Sequence, residues 1–140
     1  MIAYLDIISV TEMKKYLRVE VDFFDDIVKD YIKAAFMLFE KKTNHFTATQ
    51  AKSYEAGKVY YDYPLSDYTD VIRNGLMFTA KSDITIDVGY KNANDVPADI
   101  KFAVKKLVEG MFLAEEKSEP FRLNDSMAME VINEYKRYIA

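Results

Sequence analysis

The sequence predicts an α+β fold that is mostly helical, with about four helices and a small antiparallel β-sheet or hairpin inserted between the second and third. One observation is that residues 84–112 change from a two-residue to a 3.6-residue repeat of apolar side chains across one short turn, as when a strand leads into a helix. Another is that strand-like segments occur only in the middle of the chain. Helices and strands are therefore segregated, which defines the class.

Two helices are predicted before the sheet. Ser9 and Glu12 have the spacing of a capping box, and apolar side chains then recur at helical spacing until about Arg18. Asp22 is the predicted N-cap of a longer helix that runs to Lys42. Its expected inner face consists of Phe24, Ile27, Val28, Tyr31, Ala35 and Leu38.

Three phenylalanines lie off that inner face of the long helix, namely Phe23, Phe36 and Phe39. The helix is therefore apolar around more than half its circumference, a pattern typical of helices that are buried on two sides. Either the fold wraps this helix or a neighbouring subunit covers it. Phe23, Phe36 and Phe39 are accordingly the candidate residues of a subunit interface.

The sheet is predicted between residues 58 and 90. Residues 46–57 are polar and weakly patterned, and they are interpreted as a loop with an ambiguous centre. A strand-like pattern begins at residue 58, where Val59, Tyr61 and Tyr63 alternate with other residues.

A hairpin and a further strand complete the predicted sheet. Asn74 and Gly75 tolerate positive φ and lie between residues 68–73 and 76–81, so they predict a two-residue turn. The strand 84–90 follows this hairpin.

Two more helices are predicted after the sheet. Pro97 suits a first-turn position, and Asp99 places a negative charge where the helix dipole favours it. The inner face of this third helix is Ile100, Val104, Leu107, Val108 and Met111. After a loop at 117–124, Asp125 or Ser126 caps a last helix. Its inner face is Ala128, Val131, Ile132, Tyr135 and either Tyr138 or Ile139.

The composition suits one globular domain spanning residues 1–140, since 50% of the residues are hydrophobic and 30% are charged. The chain has no cysteine, which excludes disulfides, thiolate nucleophiles and Cys-based metal sites. The first residues lack the basic start of a signal peptide, and no apolar run reaches the length of a membrane span. The net charge of −4 argues against a dedicated nucleic-acid binder, because an acidic domain gains nothing from counterion release on DNA.

The sequence predicts no catalytic, cofactor-binding or metal-binding residues. His45 is the only histidine, so a zinc site would need carboxylates alone, and it is interpreted as a polar residue just past a helix end. Asp22, Asp25 and Asp26 could bind a hard cation, but they are also what a helix N-terminus favours. The nucleotide-binding glycine pattern and the P-loop pattern are both absent.

The order of these pieces resembles a known family. A short helix with the sequence 11–19 precedes an acidic start and a long helix. The strand end 88–90 then leads through a polar turn into 96–101, and the last helix closes on 135–138. This arrangement resembles the head–tail connector family of long-tailed bacteriophages and prophages, also called head-completion or DNA-packaging adaptor proteins.

The resemblance implies a non-enzymatic structural protein without a cofactor. Such proteins form an oligomeric ring of about a dozen copies in the virion, between the portal protein and the tail-terminator or stopper protein. The free protein can be a monomer before it meets the portal, because ring closure can depend on a partner. The packaged DNA passes through the ring without sequence-specific binding, and no membrane is involved. The implied location is the head–tail junction of the virion, after assembly in the cytoplasm of the bacterial host.

Two other function classes remain open. One is a small adaptor or regulatory module of phage or bacterial origin that binds a protein through the Tyr-rich sheet. The other is a carboxylate-dependent hydrolase built on Asp22, Asp25 and Asp26.

Overall fold

The computed structural model describes residues 1–61, 64–65, 67–75 and 77–136. The predicted α+β class, mostly helical with small antiparallel sheets, is confirmed in this part of the chain. The helices are α1 (Tyr4–Ile7), α2 (Val10–Leu17), α3 (Asp25–Thr43), α4 (Ala98–Glu116) and α5 (Ser126–Tyr135). The strands are β1 (Gln50–Tyr54), β2 (Val59–Tyr61), β3 (Val71–Asn74), β4 (Met77–Ala80) and β5 (Ile84–Val88). Predictions made for Tyr63, Tyr138 and Ile139 fall outside the described residues.

The first two helices begin and end on local signals. The α1 helix was not predicted, because its 4 residues are too few to show a period. In α2, the Ser9 side chain accepts a hydrogen bond from the Glu12 backbone N–H at 3.1 Å, so the predicted cap is confirmed. Arg18 ends α2 in the left-handed conformation, with φ of 60°, where the sequence placed the helix end.

The predicted N-cap of α3 is wrong. Asp22 opens a short 3-10 turn, Asp22–Phe24, and α3 itself begins at Asp25 without a side-chain cap. The Asp22 carboxylate instead accepts a hydrogen bond from the Lys14 ammonium group at 3.0 Å. Asp22 therefore forms an ion pair with α2 and does not cap α3.

The helices share one hydrophobic core in which α3 packs against α1, α2, α4 and α5. Four of the five residues predicted for the inner face of α4 are buried, and the fifth, Met111, is half-buried. The buried apolar residues of α3 are Val28, Ile32, Ala35, Phe36 and Phe39. Of these, only Val28 and Ala35 were predicted for the inner face. The buried surface of α3 is wider than a single helical face, because other helices pack against several of its sides.

The strands form two small antiparallel sheets. In the first, β1 pairs with β5 from Gln50 opposite Val88 to Tyr54 opposite Ile84. The predicted loop at 46–57 therefore contains a strand at its centre, residues 50–54, where the pattern was ambiguous. The strand β1 alternates between half-buried and exposed positions, but its polar residues hide that alternation from the sequence.

The second sheet has the strand order β2-β4-β3 and confirms the predicted hairpin. Asn74 pairs with Met77, so Asn74 belongs to the strand and the turn is displaced by one residue from the predicted position. Gly75 adopts a φ of 65°, which the sequence anticipated. The sheets enclose a second, smaller core whose buried members are Tyr54, Leu65, Val71, Phe78, Ala80 and Val88.

Gly89 joins β5 to the helical part of the molecule. Its φ is 100°, and a Cβ atom at this position would lie 2.2 Å from the backbone oxygen of Ala48. Its N–H donates to the Pro64 oxygen at 2.7 Å, and the next N–H, of Tyr90, donates to the Thr47 oxygen at 3.0 Å. Only glycine satisfies both the backbone angle and this close approach.

None of the helices in the described part of the chain is long and apolar enough to span a lipid bilayer.

We predict that Gly89→Ala lowers the free energy of unfolding by about 2–5 kcal/mol, because overpacking and backbone strain combine. The matched control is Gly57→Ala. Gly57 also has a positive φ, 78°, but no atom lies within 4 Å of its virtual Cβ. That variant should lose only about 1–2 kcal/mol through backbone strain. Urea unfolding of both variants measures the difference, and equal losses would contradict the role of the Ala48 contact.

Candidate functional site

A buried carboxylate lies at the C-terminal end of α3. Glu40 is only 6% exposed, and its two oxygens accept hydrogen bonds from three other segments of the chain. Thr47 donates its backbone N–H at 2.7 Å and its hydroxyl at 2.9 Å, and the Gln50 amide donates to both oxygens at 3.0 Å. The Tyr4 hydroxyl donates to the same carboxylate. With so many donors, the buried charge is satisfied and serves the structure.

His45 belongs to a second polar network. It follows α3, as predicted, but it is buried rather than solvated. Its Nε2 atom is 2.8 Å from the Tyr90 hydroxyl, and its ring centroid is 5.0 Å from that of Tyr135. The Tyr135 hydroxyl donates to the Asp99 carboxylate at 3.0 Å and 3.2 Å. This network ties the end of α5 to the start of α4 and to the segment after β5.

Both networks raise the pKa of a tyrosine hydroxyl. Burial raises the pKa of Tyr4, and the hydrogen bond to the negative Glu40 carboxylate raises it further. Burial likewise raises the pKa of Tyr135, and its hydrogen bond to Asp99 acts in the same direction. Both phenols therefore stay protonated as donors at neutral pH, which is a structural arrangement and not one poised for proton transfer.

The acidic residues at the start of α3 do not form a metal centre. Lys14 lies 3.0 Å from Asp22 and 2.8 Å from Asp25, so two of the three carboxylates proposed for a hydrolase are paired with one ammonium group. Within the described ranges, no group of three or more His, Cys, Asp or Glu side chains is placed to hold a metal ion.

The three candidate interface phenylalanines have different environments. Phe36 and Phe39 are fully buried within the protomer, where Phe36 stacks on Tyr4 at 5.1 Å and Phe39 packs on Tyr135 at 6.1 Å. Their prediction as interface residues is therefore wrong, because α1 and α5 cover the side of α3 that the sequence left open. Phe23 is 87% exposed, and its place in an interface stays a prediction.

Two tyrosines of the Tyr-rich sheet face the smaller core. Tyr54 and Tyr60 turn towards the smaller core, with ring centroids 5.1 Å and 5.5 Å from that of Phe78. The aromatic side chains of β1 and β2 thus stabilise the sheet from inside, as cross-strand pairs commonly do.

A cleft of about 640 Å³ runs between the C-terminal half of α4 and the segment that follows it. Gly110 lies in its wall, and a Cβ atom there would be 3.1 Å from the Phe121 ring. Glycine inside a helix costs about 1 kcal/mol relative to alanine. Here it makes room for Phe121, so the mid-helix glycine was a sequence signal for this close approach.

Comparison with known proteins places this arrangement in a fold class. No protein-family model matches the chain, and no curated protein matches it. Solved structures do match over nearly the whole length, and they identify the same α+β fold.

Two of these structures are a bacteriophage protein and a chain from a particle neck. Bacteriophage HK97 gp6, in its crystal structure, is 19% identical, with a TM-score of 0.55, and the match covers 95% of this chain and 96% of that one. A chain from the neck of an empty GTA particle, computed with C6 symmetry, is 13% identical, with a TM-score of 0.62. That match covers 100% of this chain and 95% of the other. The resemblance expected from the sequence is thus confirmed as a likeness in fold.

We predict that Phe36→Asp prevents folding, whereas Phe23→Asp does not. A carboxylate at position 36 would be buried without a partner, and losses above about 4 kcal/mol are typical of such changes. Position 23 is solvated, so its variant should stay within about 0.5 kcal/mol of the parent. Circular dichroism melting curves separate the two, and a folded Phe36→Asp protein would contradict the placement of that ring in the core.

The raised tyrosine pKa values predict a loss of stability at alkaline pH. In the unfolded chain a tyrosine ionises near pH 10, but the folded protein holds these two protons to higher pH. The stabilisation that these two hydroxyl groups contribute is therefore fully present below about pH 10. It is lost as the pH rises towards their raised pKa values in the folded protein. In urea unfolding measured at a series of pH values, Tyr135→Phe should make the decline of the unfolding free energy above pH 10 shallower. The double variant, Tyr4→Phe with Tyr135→Phe, should make that decline shallower still. An unchanged slope in the double variant would contradict the assignment.

Proposed function

We propose that this protein is a head–tail connector, a structural virion protein that forms a ring between portal and tail. The observation that carries the proposal is the full-length match in fold to a chain from the neck of a particle computed with C6 symmetry. Sixfold symmetry describes copies arranged around one axis, and heterologous contacts whose rotation closes generate such rings. The match to bacteriophage HK97 gp6 is consistent with a phage origin.

In this proposal residues 1–140 act as one domain in a ring of about a dozen copies. The portal protein lies on one side of the ring, and a tail-terminator or stopper protein lies on the other. The protein is non-enzymatic and uses no cofactor. It is assembled in the cytoplasm of the bacterial host and remains at the head–tail junction of the virion.

The charge of the chain supports a passage for DNA. The net charge is −4, and a wall of that sign repels the phosphate backbone at long range. Attractive phosphate contacts would slow a strand that must slide through the ring, because they supply most of the affinity in non-specific binding. The proposal therefore includes no sequence-specific contact with DNA.

We predict that the purified protein forms rings at high concentration or when mixed with the portal protein. Native mass spectrometry should show a closed oligomer of about a dozen copies, and negative-stain images should show a central hole. Portal protein should be recovered when a tagged copy is pulled down from phage-producing cells. A strict monomer at every concentration and with the portal present would overturn the proposal.

A further inference from the structure

Resting on the proposed ring, we infer how neighbouring copies join: the Phe23 side chain of one copy enters the α4 cleft of the next. The α4 cleft is the cavity between α4 and the residues that follow it, lined by Gly110, Leu113, Ala114, Lys117, Glu119, Pro120, Arg122 and Asn124. The partner is thus a second copy of this chain.

The Phe23 side chain is exposed but held in place. It is 87% exposed, on the 3-10 turn between α2 and α3, and Val21 beside it is exposed as well. The Phe24 ring packs edge-on against Phe23 at 5.2 Å and against Phe112 at 5.5 Å. Lys14 ties both ends of the turn to α2 through its ion pairs. A side chain presented on a fixed turn loses little conformational entropy when it binds.

The α4 cleft offers a complementary surface. Its volume of about 640 Å³ is more than a phenyl ring needs, and the cleft is open to solvent with partly polar walls. Gly110, Leu113, Ala114 and Pro120 supply an apolar surface, and Leu113 is 41% exposed in this wall. Inserting one aromatic side chain would cover Leu113 and remove two exposed apolar surfaces from water at once.

The charged residues that line the α4 cleft and those beside Phe23 in the sequence have opposite net signs. Glu20, Asp22, Asp25 and Asp26 surround Phe23 in the sequence, with Lys14 as the paired cation. The cleft carries Lys117 and Arg122 against one carboxylate, Glu119. Such rim charges steer association and select the partner more than they add affinity.

Both surfaces lie at the same end of the α3–α4 pair. The contact between Phe24 and Phe112 places the start of α3 beside the end of α4, so Phe23 and the cleft share that end of the molecule. Because the two surfaces are different, the contact is heterologous, and repeating it produces a ring when each copy stays at one height along the axis. When the α3–α4 pair is parallel to the ring axis, two surfaces at the same end of this pair lie at the same height along the axis.

Cross-linking tests this contact directly, because the chain has no cysteine of its own. Tagged Phe23→Cys copies are mixed with untagged Leu113→Cys copies, assembled into rings, and treated with a short bismaleimide. We expect a covalent dimer of one tagged and one untagged chain as the main product. The matched control replaces Leu113→Cys with Ile72→Cys, since Ile72 is exposed on β3, away from the cleft. The control should give at least tenfold less of that dimer.

The possible outcomes distinguish a failure of the Phe23 contact from a failure of the proposed ring. Rings without a tagged–untagged dimer above the control would overturn the contact and leave the proposed function standing. Absence of rings for the parent protein, alone and with the portal, would overturn both.

Charge reversal provides a second readout in the intact protein. Lys117→Glu should lower the salt concentration at which rings dissociate. Adding Asp26→Lys to the same chain should restore that concentration, because the carboxylate introduced at position 117 of one copy would then attract the ammonium group introduced at position 26 of the next. Met37→Asp, at an exposed position on α3, should leave ring formation unchanged. Failure of Asp26→Lys to restore the rings would contradict the proposed pairing of these two rims.

Discussion

The carboxylate of Glu40 is the constraint on which the arrangement of the molecule depends. A charge buried at the end of α3 must be surrounded by donors, and those donors come from α1, from the segment after α3 and from β1. Each donor fixes its own segment against the long helix. An unpaired buried charge is unfavourable, so these hydrogen bonds favour the observed positions of the N-terminal residues and of β1.

The second polar network lies near the same end of α3. Tyr135 reaches Asp99 at the start of α4, and its ring packs on His45 just beyond α3. Together with the close approach of Gly89 to Ala48, these contacts hold the sheets against the helices. Polar groups therefore set the geometry at this end of the helices, while the apolar core supplies most of the stabilisation.

The opposite end of the helices carries the two surfaces that the proposed contact uses. There the chain leaves Phe23 in solvent and opens the α4 cleft beside Gly110. The excess of apolar residues on α3 does not by itself require a ring, because α1 and α5 cover Phe36 and Phe39 within one protomer. The case for assembly comes instead from the likeness in fold and from what remains exposed.

The sequence alone determined the features that depend on neighbouring residues: the Ser9 and Asp125 caps, the hairpin near Gly75, the inner face of α4 and the α+β class. These follow from local hydrogen bonds and from the periods of helix and strand, which a linear pattern displays. The tertiary structure alone decided the burial of Phe36, Phe39 and Glu40 and the pairing of β1 with β5. Burial and strand pairing depend on residues that are distant in the sequence, and a local pattern does not identify those residues.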